Sequence, residues 1–140
     1  MGNFAEGVTL PPTIQRWLDT YNNNDLEGHI ALYTDTASIL IPAPGGEYID
    51  LNPDHTKAVF RQMEQALDAT APNRKVRFDW VSVAAHEISV EATLMLTPGD
   101  PRGDQSMALH FTLSADGTSI VRDRTYIDSS VTAGLAADSR

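Results

Sequence analysis

Four polar residues stand at mid-strand positions where apolar ones would be expected. Glu91 lies in EISVEATLML, His110 in SMALHFTLS, and Asp123 and Thr125 in SIVRDRTYID. An acid, an imidazole and a second acid can divide proton donation and acceptance near neutral pH. A carboxyl in an apolar cavity has its pKa raised, and an imidazole already titrates close to neutrality. Enolisation, β-elimination or an aldol-type ring closure needs nothing more, and one well-placed group of this kind contributes about 10²–10⁴-fold. The condition is a shared pocket. If the same side chains face water, the segment describes a sheet and no chemistry.

Period-two geometry sorts these residues by face. Glu91 goes with Ser89, Thr93 and Met95, and His110 with Ala108 and Thr112. Asp123 goes with Val121, Thr125 and Ile127, while Arg122 and Arg124 point the other way. The strongly apolar faces belong to a core or an interface. The mixed faces are solvent or pocket, and periodicity alone leaves both open.

The elements that must position them follow from hydrophobic spacing. Pro11-Pro12 opens a first helix with a stripe of Ile14, Trp17, Leu18 and Tyr21. Asn24 as cap with Glu27 three residues later predicts a second, with His29, Ile30 and Tyr33 inward. A short strand, 37–41, ends at Pro42-Ala43-Pro44-Gly45-Gly46. Asn52-Pro53-Asp54 starts a third helix that buries Val59, Phe60, Met63 and Leu67. Strands are expected over 76–83, 88–96, 106–113 and 119–128, with Asp116-Gly117 as a hairpin signal. Helices set apart from a run of antiparallel strands make an α+β domain.

Composition narrows the function. The 140 residues suit one domain, with residues 1–10 as an arm and 131–140 as a flexible tail. Nineteen acids against ten bases give a net charge of −9. Only Arg74, Lys75 and Arg77 cluster, so nucleic acid and anionic membranes are excluded as partners. No cysteine is present, which fits the cytoplasm and removes thiolate chemistry. No signal-like or membrane-spanning run is expected. Four scattered histidines without ligand spacing give no metal site, and no phosphate loop, nucleophile elbow or dinucleotide fingerprint is present.

The sequence resembles the nuclear transport factor 2-like superfamily and, within it, the SnoaL-like polyketide cyclase group. The resemblance rests on Trp17-Leu18-Asp19-Thr20-Tyr21, Asn24-Asp25-Leu26-Glu27 and Ala31-Leu32-Tyr33-Thr34-Asp35-Thr36-Ala37-Ser38. It continues in Asp116-Gly117-Thr118-Ser119-Ile120 leading to Tyr126-Ile127-Asp128, and covers roughly residues 11 to 130. It implies a cone-shaped, curved antiparallel sheet wrapped around helices, with the cone as ligand pocket. The fold alone does not choose among cyclases, isomerases, dehydratases, epoxide hydrolases and binding modules.

By the same resemblance, Glu91 falls near a mid-strand carboxylate of epoxide hydrolases. His110 falls near the acid that donates to an oxyanion in ketosteroid isomerases, and Thr125 stands where many relatives carry a catalytic Asp. Tyr33 keeps a second-helix tyrosine. The departures are Ile41 in place of the isomerases' base, Trp17 in place of a tyrosine, and Ser89 in place of the hydrolases' arginine. We therefore expect His110 and Asp123 to pair as base and orienter, with Glu91 as general acid or second base. Trp17, His29, Tyr33, Phe60, Met95 and Thr125 would line the substrate site. The expected function is cofactor-independent acid–base catalysis on an apolar small molecule in bacterial secondary metabolism, by a homodimer formed through the outer sheet face. Epoxide hydrolysis and a non-catalytic binding or assembly module are the alternatives.

Overall fold

In a computed structural model of the chain, residues 9–42, 47–51 and 56–127 are described. The elements are α1 (Pro12–Asn22), α2 (Leu26–Ile30), β1 (Tyr33–Pro42), β2 (Tyr48–Leu51), α3 (Thr56–Thr70), β3 (Lys75–Ala84), β4 (Glu87–Met95), a 3-10 turn (Pro101–Gly103), β5 (Asp104–Leu113) and β6 (Ile120–Ile127). This is the expected α+β class, with one curved six-stranded sheet in the order β2-β1-β6-β5-β4-β3. Ladders β3 to β6 are antiparallel, and β1 lies parallel to β6. The arm, the tail, the Ala43–Gly46 stop and the Asn52–Asp54 helix start fall outside the described residues, apart from positions 9 and 10.

Several boundaries differ from the sequence reading for local reasons. Asn24 adopts φ 54°, a left-handed turn residue, and Asp25 caps α2 instead, accepting from the Gly28 N–H at 3.0 Å. That helix stops after five residues, so Tyr33 opens β1 rather than riding the second helix. β2 was not foreseen; its four residues pair with Ile39–Pro42 at the sheet edge. The Asp116-Gly117 signal holds, with Gly117 at φ 75°, where a Cβ would strain the backbone. The Gly117 carbonyl accepts from Thr13 at 2.7 Å, tying the hairpin to the start of α1.

The helices cover one face of the sheet. The core joins Ile14, Trp17 and Tyr21 from α1 and Phe60 from α3 to the inward residues Ile39, Phe78, Val81, Val90, Leu109 and Phe111. The opposite, outer face is mostly polar but exposes Trp80 and Tyr126. No helix among the described residues is long and apolar enough to cross a membrane.

Candidate functional site

The sheet register separates the expected catalytic set. Asp123 pairs with Phe111 and Thr125 with Leu109, all facing the helices. His110 pairs with Ser89 and Arg124, and Glu91 with Trp80 and Ala108, on the outer face. His110 and Glu91 therefore do not join Asp123: a whole sheet lies between them. The base–orienter pair of His110 and Asp123 is corrected on this ground: His110 shares a face with its partner Arg124, and the next residue along β6, Asp123, points the other way.

Asp123 is only 2% exposed. Its Oδ2 accepts from the Tyr33 hydroxyl at 2.5 Å, and its Oδ1 from the Thr125 hydroxyl at 2.8 Å. The Trp17 indole N–H donates to the Tyr33 oxygen at 2.9 Å. Since an indole N–H can only donate, the chain has one direction: Trp17 to Tyr33 to Asp123. Burial pushes the Asp123 carboxyl up to about 6, although the bonds from Tyr33 and Thr125 and the Arg124 charge pull the other way. Burial and the neighbouring Asp123 hold the Tyr33 phenol well above its usual range, so Tyr33 remains a donor.

Aromatic rings enclose this chain. Phe60 meets Tyr33 edge-on at 4.9 Å, Phe111 meets Trp17 at 5.3 Å, and Tyr21 stacks on Trp17 at 5.3 Å. His29 packs against Trp17, Tyr33 and Phe60. Its Nδ1 lies 2.9 Å from the Thr20 hydroxyl, which itself donates to the Arg16 carbonyl. Burial, then the Arg74 charge, lowers the imidazole to about 4, so His29 is neutral at pH 7. Of the expected lining residues, Trp17, His29, Tyr33, Phe60 and Thr125 come together. Met95 does not; it sits half-buried between Lys75 and Asp104 in the ladder, on the Glu91 face.

A second polar cluster adjoins the first. Arg74 is 2% exposed. Its guanidinium donates to the Tyr21 hydroxyl at 3.0 Å, Asp68 at 2.9 Å, Glu64 at 3.2 Å and the Ala71 carbonyl at 3.2 Å. Burial raises Glu64 to about 7 against the pull of Arg74, and Asp123 is close enough to add a smaller upward push. A cavity of about 10 Å³, roughly one water, is lined by His29, Glu64, Asp68 and Arg74 among others. Glu64 was not singled out in the sequence, although the signal was there: it falls between Met63 and Leu67 on the buried stripe of α3, one turn beyond Phe60.

On the outer face, ionised Glu87 accepts from Thr112 and lies 2.6 Å from His110 Nε2, while Ser89 lies 3.0 Å from Nδ1. The Thr112 bond, then the His110 bond, lowers the Glu87 carboxyl. These groups satisfy one another at the surface. Among the described residues, no cluster of three or more His, Asp or Glu is placed to hold a metal.

No protein-family model and no curated protein matches the chain. Solved structures do. BvnE pinacolase from Penicillium brevicompactum superposes with a TM-score of 0.71 at 17% identity, covering 91% of each chain. IdmH from Streptomyces antibioticus, a candidate polyketide cyclase, gives 0.67 at 15% identity, over 89% of this chain and 96% of its own. A protein with a ketosteroid isomerase-like fold from Catenulispora acidiphila gives 0.62 at 16% identity, over 84% and 86%. At these identities the likeness is one of architecture: the chain has the cystatin-like fold, the fold that its resemblance to SnoaL-like cyclases implied.

Proposed function

We propose that Asp123 is the proton-transfer group of a cofactor-independent enzyme that acts on an apolar small molecule. One observation carries this reading: a carboxyl raised to about 6 is enclosed by aromatic rings and gripped by two hydroxyl donors. At pH 7 Asp123 is mostly ionised and serves as base, accepting a proton from carbon or hydroxyl. Tyr33, oriented by Trp17, keeps its own proton and offers a hydrogen bond. Cyclisation, isomerisation and dehydration all use such a base, and the neighbouring cyclase and pinacolase structures are consistent with that range. Contact with substrate requires the rings over Asp123 to part, since the closed interior leaves the carboxyl 2% exposed.

The test is deuterium exchange of the α-protons of a panel of apolar ketones, followed by NMR. The wild-type protein should exceed buffer for at least one ketone by about 10²–10⁴-fold. Its rate should rise with pH through about 6, as Asp123 ionises. Asp123→Asn should lose the acceleration and His110→Ala should keep it. Buffer rates across the panel, or full activity in Asp123→Asn, would defeat the proposal.

The closed interior also favours a second reading, a binding or assembly module in which Asp123 only braces the core. Asp123→Asn would then alter stability and nothing else. For epoxide opening, the donor expected of His110 would have to be Tyr33, because His110 lies on the other face.

A further inference from the structure

The outer face of the sheet carries a groove of about 280 Å³ lined by Trp80, Ser89, Glu91, Ala108, His110 and Tyr126, among others. Its geometry follows from the register. Trp80, Glu91, Ala108 and Tyr126 form one row across β3, β4, β5 and β6. Strands lie about 4.8 Å apart, so the backbones under the two rings are about 14 Å apart. Between them stand a carboxylate and a methyl group, and the small Ala108 side chain leaves the floor open. Trp80 and Tyr126 are 41% and 43% exposed. Tyr48 supports the Tyr126 ring at 5.6 Å. Its own hydroxyl is fixed by the Ile127 N–H and carbonyl, at 3.0 and 3.2 Å.

Charge distinguishes this groove from the rest of the face. Asp79 is held by Arg77 and Thr93, and Glu87 by Thr112 and His110. Arg122 acts on Glu87, and Arg124 is bonded to Ser38 on β1. The Glu91 side chain has no hydrogen bond or ion pair among the described residues. An uncompensated carboxylate beside two exposed aromatic rings is a cation site, because ring faces and carboxylate both attract positive charge. The net charge of −9 adds to that attraction.

We propose that this groove binds an organic ammonium ion, with the positive centre at Glu91 and the apolar substituents against Trp80 and Tyr126. The chain has two tryptophans. Trp17 is buried in the core, so Trp80 reports on the groove by fluorescence. Titration with benzyltrimethylammonium chloride at fixed ionic strength should quench emission saturably, and benzyl alcohol should not. Glu91→Gln and Tyr126→Leu should each weaken binding by about five- to tenfold, and Asp123→Asn should leave it unchanged. Circular dichroism melts of the surface variants confirm that they fold. Non-saturating quenching, equal quenching by benzyl alcohol, or unaltered affinity in Glu91→Gln would overturn the proposal. So would a dimer in light scattering whose closed face gives no quenching at all.

Discussion

The reading of Asp123 makes a quantitative demand on stability as a function of pH. Its carboxyl is raised from 3.8 to about 6 in the folded protein. The folded state therefore holds the proton that the unfolded chain releases between those values. Stability from this group is fully present below about 3.8 and is lost as pH rises to about 6. Each pKa unit is worth 1.36 kcal/mol, so the loss is about 3 kcal/mol by pH 7. Glu64, raised from 4.5 to about 7, has the same sign. His29, lowered from 6.5 to about 4, has the opposite sign, because its stability is lost as pH falls through that window. The whole-protein profile thus mixes opposing slopes, and a difference measurement is needed. Asp123→Asn keeps the shape, and its amide oxygen can still accept from Tyr33. Urea unfolding of both proteins from pH 4 to 8, read by circular dichroism, gives the free-energy gap between them. The variant should gain on wild type by about 2 kcal/mol as pH rises from 4 to 7, the remainder having been lost below pH 4. At low pH a residual offset of about 1 kcal/mol is expected from changed hydrogen bonding. A flat gap, or one that runs the other way, would mean that Asp123 ionises as an ordinary carboxyl, and the argument for a poised base would fail.

Three further outcomes follow from the same contacts. Tyr33→Phe removes the donor to Asp123 and the acceptor of the Trp17 N–H. It should cost about 2 kcal/mol and move the Asp123 titration, followed by carboxyl ¹³C NMR, to a pH above that of wild type. Arg74→Met leaves Glu64 and Asp68 without their partner, costing about 3–5 kcal/mol at pH 8. Denaturant midpoints at pH 5 should show a smaller loss, because Glu64 then carries its proton. Ala85 stands at φ 56° in the turn between β3 and β4, so Ala85→Gly should raise stability by about 0.5 kcal/mol, relief of the left-handed backbone outweighing glycine's entropy. A thermal melt measures it.

The fold was largely legible because its signals are local. The α1 stripe, the four C-terminal strands and the Asp116-Gly117 turn each depend on a few neighbouring residues. The site was only half legible. Period two placed Glu91 with Ser89 and Thr93, His110 with Thr112, and Asp123 with Thr125, and the sheet keeps all three groupings. Which of those faces meets the helices depends on register, and register is set by partners tens of residues away. The buried place of Arg74 was not legible for a related reason. Next to Lys75 and Arg77 it looks like surface charge, and only Tyr21, Glu64 and Asp68 together give it a buried place. β2 was missed because four residues ending in Leu51 carry too little pattern to separate from a loop.

One backbone irregularity decides what Asp123 can be. On strict alternation Val121 would share its face and Ile120 would lie opposite. Ile120 is nevertheless fully buried, paired with Tyr33 and Leu113, and Asp123 is buried three residues later. The ladder accommodates both by a register shift: Leu113 pairs with Ile120 and Thr112 with Arg122, leaving Val121 as the extra residue. A bulge of this kind re-aims every residue beyond it. If the strand instead ran through Val121 with strict alternation, burying Ile120 would turn Asp123 and Thr125 to the outer face and bring Arg122 and Arg124 inward. Tyr33 would then lose its acceptor, and the core would receive two cations in place of one carboxyl. The interior acid therefore depends on the bulge that absorbs Val121 as much as on Tyr33 and Trp17, through strand geometry rather than through any contact with the carboxyl.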